Sequence, residues 1–215
     1  MSTAVRLDVS DAVLDADLSL PDGPRGVVLF AHGSGSSRYS PRNRRVAADL
    51  VDFGVATLLM DLLTADEDLL DRRTREFRFD VGLLGGRLTA AVDWLGMDPR
   101  TASLPVVTFG ASTGAAAALV AAAERPDRVC GVISRGGRPD LAVDHLPRVR
   151  APVLLIVGGR DPTVLDLNRS AASALAAAEL VVVPGASHLF EEPGALEAVV
   201  DRALEALRDW LPPAA

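Results

Sequence analysis

The chain has 215 residues, 49% of them hydrophobic, which suffices for one well-buried core and leaves no room for a long linker, so a single domain over residues 1–215 is expected. Its 22 Lys and Arg against 29 Asp and Glu give a net charge of −7, which argues against a polyanion binder and makes nucleic acid an unexpected partner. The N-terminal stretch MSTAVRLDVSDAVLDADL interrupts every apolar run with an acidic residue, fits neither a secretory signal nor a membrane span, and points to a cytoplasmic protein.

Residues 4–9 and 13–20 alternate apolar and polar side chains across a short connection, as an antiparallel hairpin with one wet face does. Next come an almost continuous apolar run at 26–31, a helical pattern near 41–53 and a second apolar run at 55–60. A helix is expected near 80–96, then a strand at 104–109, a helix at 113–124 and a strand at 128–134. A strand at 152–157, a helix near 164–178, a strand at 179–184 and a helix at 194–211 complete the series. Apolar runs of six or seven residues suit central parallel strands covered on both faces, so the pattern predicts an α/β fold with eight strands, mostly parallel. The alanine-rich segments read as helix faces that pack closely on the sheet. The single cysteine, Cys130, falls in the 128–134 strand and reads as a small buried apolar residue without a disulfide partner. No CxxC, paired-histidine or EF-hand spacing occurs, so no metal and no cofactor are expected.

In open parallel sheets, ligands bind beyond the carboxyl ends of the strands, so the residues just after each run carry the chemistry. After the 104–109 strand comes Gly110-Ala111-Ser112-Thr113-Gly114, a G-x-S-x-G turn feeding a helix. Such a turn holds the serine strained and exposed at the top of the sheet, and the simpler reading is a glycine-rich turn. A serine hydroxyl needs a base, and that base needs a partner to fix its tautomer. His188 follows the last strand and is the candidate base, whereas His145 reads as a surface residue and His32 as a hydrogen-bonding loop brace. Asp161 follows the 152–157 strand and is the candidate partner, although alone it reads more simply as a turn or helix-start residue. The order Ser112, Asp161, His188 is that of an α/β-hydrolase triad. The backbone N–H of Thr113 and that of Ser34, in the loop AHGSGSS after the first central strand, are the candidate oxyanion donors.

The segments LFAHGSGSSRYSPRN, GASTG, VGGRDP and GASHLFEEPGALE together resemble the dienelactone hydrolase-like branch of the α/β-hydrolase superfamily over essentially the whole chain. The resemblance implies an α/β-hydrolase fold with an eight-stranded, mostly parallel sheet, Ser112 as nucleophile, Asp161 as acid and His188 as base. Dienelactone hydrolases carry a cysteine nucleophile where this chain has Ser112, which points to a serine esterase, lactonase or amidase acting on a small-molecule ester or lactone. The segment LLTADEDLLDRRTREFRFDVGLLGGRL is also similar to a subgroup of small hydrolases that occur alone or fused to a phosphoribosyltransferase domain.

Two other classes compete with hydrolysis. The loops HGSGSSR and GASTGAAAAL look like glycine-rich anion cradles of a phosphate or nucleotide binder, but neither matches a dinucleotide or P-loop pattern or accounts for Asp161 and His188. A catalytically silent hydrolase fold kept for binding is the other, because fold alone does not fix function. Too few residues separate Ser134 from Pro152 for a helical lid, so an open site with a minimal lid or none is expected. Arginines 38, 72, 73, 75, 78, 135, 138 and 160 fall in loops expected around its mouth, where surface ion pairing is the simpler reading. Arg135, directly after a central strand and flanked by Gly136 and Gly137, is the one expected to bind substrate, by clamping a carboxylate or phosphate.

Overall fold

The computed structural model describes residues 2–9 and 11–213. The hairpin is β1 (Ser2–Val9) and β2 (Ala12–Ser19), and its register pairs Leu7 with Leu14, so both point into the core while Arg6 and Asp15 pair on the wet face. There follow β3 (Val27–Ala31), α1 (Pro41–Asp52), β4 (Ala56–Met60), α2 (Ala65–Thr74), α3 (Val81–Met97), β5 (Val106–Ala111) and α4 (Thr113–Glu124). The chain continues through β6 (Val129–Arg135), two short 3-10 helices (Pro139–Ala142 and Leu146–Arg148), β7 (Val153–Gly158), α5 (Pro162–Ala174), β8 (Ala178–Val183) and α6 (Ala195–Trp210). The eight strands form one sheet in the order β1-β2-β4-β3-β5-β6-β7-β8, antiparallel at β1/β2 and β2/β4 and parallel elsewhere.

The nearly continuous apolar central runs are explained by the two helical layers. Along β3, Val27, Leu29 and Ala31 face the layer containing α3 and α4, while Val28 and Phe30 face the layer containing α1 and α6. Because successive side chains alternate across a strand, a strand covered on both sides is apolar at nearly every position. Alanine serves α4 as expected: Ala115 to Ala118 are fully buried, and their short side chains let the helix lie close to both α3 and the sheet. Only short 3-10 turns lie between β6 and β7, in keeping with the absence of an expected lid helix there. Among the described residues no helix is long and apolar enough to cross a membrane.

One element was not foreseen. α2 occupies residues expected to be loop, so Arg72 and Arg73 lie on a helix, with Arg75 as its left-handed C-cap. Its sequence ADEDLLDRRT buries only Asp71 and lacks an apolar stripe, so periodicity is silent there. The helix is instead fixed at its start by a capping box, in which the Thr64 hydroxyl accepts from the Glu67 N–H and the Glu67 carboxylate accepts from the Thr64 N–H. Cys130 is half-buried on β6, its Sγ donating to the Val106 carbonyl at 3.3 Å, and burial pushes its thiol pKa up.

The topology also sets where a site can form. The chain leaves β3 for α1 on one face of the sheet and leaves β5, its neighbour, for α4 on the other. The two outgoing loops therefore diverge at the carboxyl edge and leave a crevice between them.

Candidate active site

Ser112 stands at the head of that crevice, between the last residue of β5 and the first of α4, with φ 52° and ψ −121°. A positive φ is strained for a residue with a side chain, and here both flanks hold it. Its N–H donates to the Arg135 carbonyl at 3.1 Å, and its own carbonyl accepts from the N–H groups of Ala115 and Arg138. The glycines of the motif are required by close approach: a Cβ on Gly110 would overlap the Ala115 backbone, and one on Gly114 would overlap the Ala31 and His32 carbonyls. Gly114 thus lets the start of α4 press against the end of β3.

The loops after β7 and β8 bring the other two expected residues to the serine. His188 places Nδ1 2.7 Å from Asp161 Oδ2 and Nε2 3.3 Å from Ser112 Oγ. Asp161 fulfils both of its sequence readings, one per oxygen: Oδ2 meets the imidazole, while Oδ1 accepts from the Val164 N–H at 3.4 Å as the N-cap of α5, ahead of Pro162. The histidine loop is tied down on both sides of His188. The Ser187 N–H donates to Glu192 Oε2 at 3.0 Å, and Phe190, buried with φ 55°, anchors the turn in the core. His145 lies elsewhere, half-buried at the second 3-10 helix with Nε2 3.9 Å from Glu124.

The loop after β3 closes over Ser112 from the other side. His32 braces it as expected: Nε2 accepts from the Leu62 N–H at 3.0 Å and Nδ1 donates to the Gly33 carbonyl at 2.9 Å. Burial lowers the pKa of this imidazole, favouring the neutral tautomer that such a donor and acceptor pair requires. The Gly33 carbonyl also accepts from the Ser36 N–H, so it is turned into the loop; in a trans peptide the N–H of Ser34 then points the opposite way. Gly33 packs directly on the serine, since a Cβ there would stand 3.2 Å from Ser112 Cβ. The Ser34 and Thr113 hydroxyls share a hydrogen bond of 2.6 Å, which locks the two expected oxyanion residues side by side. As the first residue of α4, Thr113 has an N–H with no partner inside the helix.

A cleft of about 230 Å³ opens here, lined by Ser34, Ser40, Arg42, Ser112, Arg135 and His188. Two larger cavities, about 520 Å³ beside the Ser36–Tyr39 loop and α2 and about 400 Å³ between β2, β4 and α1, are lined by neither Ser112 nor His188, so size alone points elsewhere. Five of the arginines expected around the mouth are paired with carboxylates: Arg38 with Asp61, Arg72 with Asp68, Arg78 with Asp71, Arg138 with Asp140 and Arg160 with Glu192. Arg135 is different. It ends β6, is 7% exposed, donates from Nη2 to Asn43 Oδ1 at 3.1 Å, and has no hydrogen-bond partner for Nη1 among the described residues. Sequence reasoning missed Arg42, in the first turn of α1, which lines the same cleft and meets Glu191 at 3.0 Å; its signal was its place just after the Ser34 loop.

The family model described as dienelactone hydrolase family matches residues 14–214. The chain belongs to the dienelactone hydrolase family. A dienelactone hydrolase from Anabaena variabilis, solved by crystallography, is 56% identical, and the superposition covers 99% of both chains with a TM-score of 0.96. Est1E from Butyrivibrio proteoclasticus is 18% identical over 96% of this chain and 98% of that one, with a TM-score of 0.81, a likeness of fold alone. Proteins from two strains of Mycobacterium tuberculosis, whose name assigns them provisionally to the phosphoribosyl transferases, are 57% identical over 195 residues. That match takes in 90% of this chain but 43% of those relatives, so this member of the dienelactone hydrolase family spans less than half of their length. Family model and fold agree in placing the chain among the dienelactone hydrolases.

Proposed function

We propose that the protein is a serine hydrolase that cleaves small carboxylic esters or lactones through an acyl-enzyme. The observation that carries this reading is the continuous chain from Asp161 Oδ2 through the His188 ring to Ser112 Oγ, at 2.7 and 3.3 Å, ending on a serine in a strained strand-to-helix turn. In this reading His188 Nε2 takes the Ser112 proton as Oγ attacks the ester carbonyl, and Asp161 steadies the imidazolium. The N–H groups of Ser34 and Thr113 hold the oxyanion of the tetrahedral intermediate. Collapse of the intermediate breaks the bond to the alcohol oxygen, which leaves with the proton from His188. Water then gives its proton to His188 and attacks the acyl-serine, and the second collapse releases the acid and returns the proton to Ser112. A 230 Å³ cleft without a lid helix favours short substrates.

The transferase name of the mycobacterial relatives concerns proteins of which this chain matches 43%, so the reading rests on the residues at the cleft. The test is covalent labelling with a fluorophosphonate, together with turnover of p-nitrophenyl acetate. Wild type is expected to be labelled once, at Ser112, and to turn over the ester. Ser112→Ala is expected to lose the label and to lower kcat by about 10⁴- to 10⁶-fold with an unchanged melting temperature. Wild type that neither labels nor hydrolyses any ester would leave a silent fold.

A further inference from the structure

The arginine at the end of β6 has a charge that nothing around it offsets. No carboxylate lies within ion-pair distance of Arg135 among the described residues, and the nearest charge acting on it is a second cation, Arg42. Burial, reinforced by Arg42, pushes the guanidinium down to about 10, still protonated at neutral pH. An isolated buried cation is costly, and such cations are ordinarily paired. Here one fork nitrogen binds the neutral amide of Asn43 and the other binds nothing.

Among the described residues no carboxylate lines the cleft. By strand alternation Arg135 shares the sheet face of Ile133, beneath α1. There the first turn of α1 presents Ser40, Arg42 and Asn43, has no acidic residue, and opens into the cleft with the positive end of the helix dipole. Arg42 is held at the rim by Glu191, which is exposed, so its charge is only partly offset. Ser36 lines the same cleft.

We propose that the ester taken by this cleft carries a phosphate, held by Arg135 and Arg42 over the first turn of α1, with its scissile carbonyl turned toward Ser112. The claim rests on the hydrolase reading and adds the substrate class. A phosphate is favoured over a carboxylate because residues with donor groups line the cleft from β6, α1 and the Ser36 loop. That is more than the two oxygens of a carboxylate engage, whereas a phosphate offers three oxygens and nearly two charges.

The test compares three methyl esters of similar size, methyl 3-phosphonopropanoate, methyl hydrogen succinate and methyl 4-methylpentanoate, by pH-stat. In wild type kcat/KM is expected to be highest for the phosphonate and at least about 30-fold above the neutral ester, the range of a charge-assisted hydrogen-bond pair. Arg135→Met is expected to cut the phosphonate-to-neutral ratio by about 10- to 150-fold, Arg135→Lys to fall between, and Arg42→Gln to cut it less. Equal handling of the three esters, or a preference for the succinate, overturns the proposal and leaves the hydrolase reading intact. Binding separates the two failures: calorimetry of the phosphonate ester with Ser112→Ala needs no turnover. Binding that is lost in Ser112→Ala/Arg135→Met supports the site even if no ester is hydrolysed, and absence of binding to Ser112→Ala overturns it. Should Arg135→Met fail to fold, the same comparison with Arg135→Lys and Arg42→Gln decides.

Discussion

Asp161 shows most clearly how one side chain can satisfy two readings of the sequence. Its Oδ1 caps α5 and its Oδ2 meets His188, and an asparagine can do the first but not the second in the same way. Asn is as good an N-cap as Asp, but its amide in place of Oδ2 favours the wrong imidazole tautomer. Asp161→Asn is thus expected to keep its thermal stability within about 0.5 kcal/mol while kcat falls by roughly 10⁴-fold. Asp161→Ala is expected to lose about 1 kcal/mol as well, through the missing cap. Calorimetry beside ester kinetics separates the two effects, and equal stability losses in both variants would remove the cap from the account. That Ser112, Asp161 and His188 come together was legible because each lies within a few residues after an apolar run, and strand ends gather at one edge of a parallel sheet. Arg42 was not, because it sits on a polar helix turn well beyond the end of β3, and only the fold reveals that α1 starts over β6.

At the scale of elements, α2 was invisible to periodicity because it is held by charge. The Arg87 guanidinium, 2% exposed on α3, donates to Glu67 on α2, to Asp11 in the β1–β2 turn and to the Leu62 carbonyl. Hydrogen bonds from Arg87, against an opposing cost of burial, hold the Glu67 carboxyl down at about 2. In the unfolded chain that carboxyl has its ordinary value near 4.3. The folded value is the lower one, so this contribution is complete above roughly pH 4.3 and disappears as the pH falls toward 2. Glu67→Gln is expected to be less stable than wild type in urea at pH 7 and to approach it by pH 2.5, so the two stability curves converge in acid. Parallel curves would mean that the cluster contributes nothing through Glu67 ionisation. The segment after α2 depends on a second such group. Asp71, 1% exposed, would be raised by burial, but the N–H groups of Arg78 and Phe77 and the Arg78 guanidinium overcome that and hold it low. The Arg78 carbonyl then accepts from the Ser34 hydroxyl at 3.4 Å, which joins α2 to the loop over Ser112.

For the molecule as a whole, the fold class was legible because each central strand is nearly continuous in apolar residues and most are separated from the next by a helix, a pattern few architectures share. What the pattern could not carry was the strand order, since β3 and β5 become neighbours only when β4 is laid on the far side of β3. The hydrogen bond between Ser34 and Thr113 joins positions 79 residues apart, as His188 and Ser112 join positions 76 apart. Neither contact can form until the central strands are in register, and such long loops close slowly. In the proposed mechanism the active geometry is therefore a clock for the end of folding. Stopped-flow refolding is expected to recover far-UV circular dichroism first and ester hydrolysis later, with hydrolysis tracking the last tertiary phase. Simultaneous recovery of the two signals would mean that the sheet and its carboxyl-edge loops condense in one step.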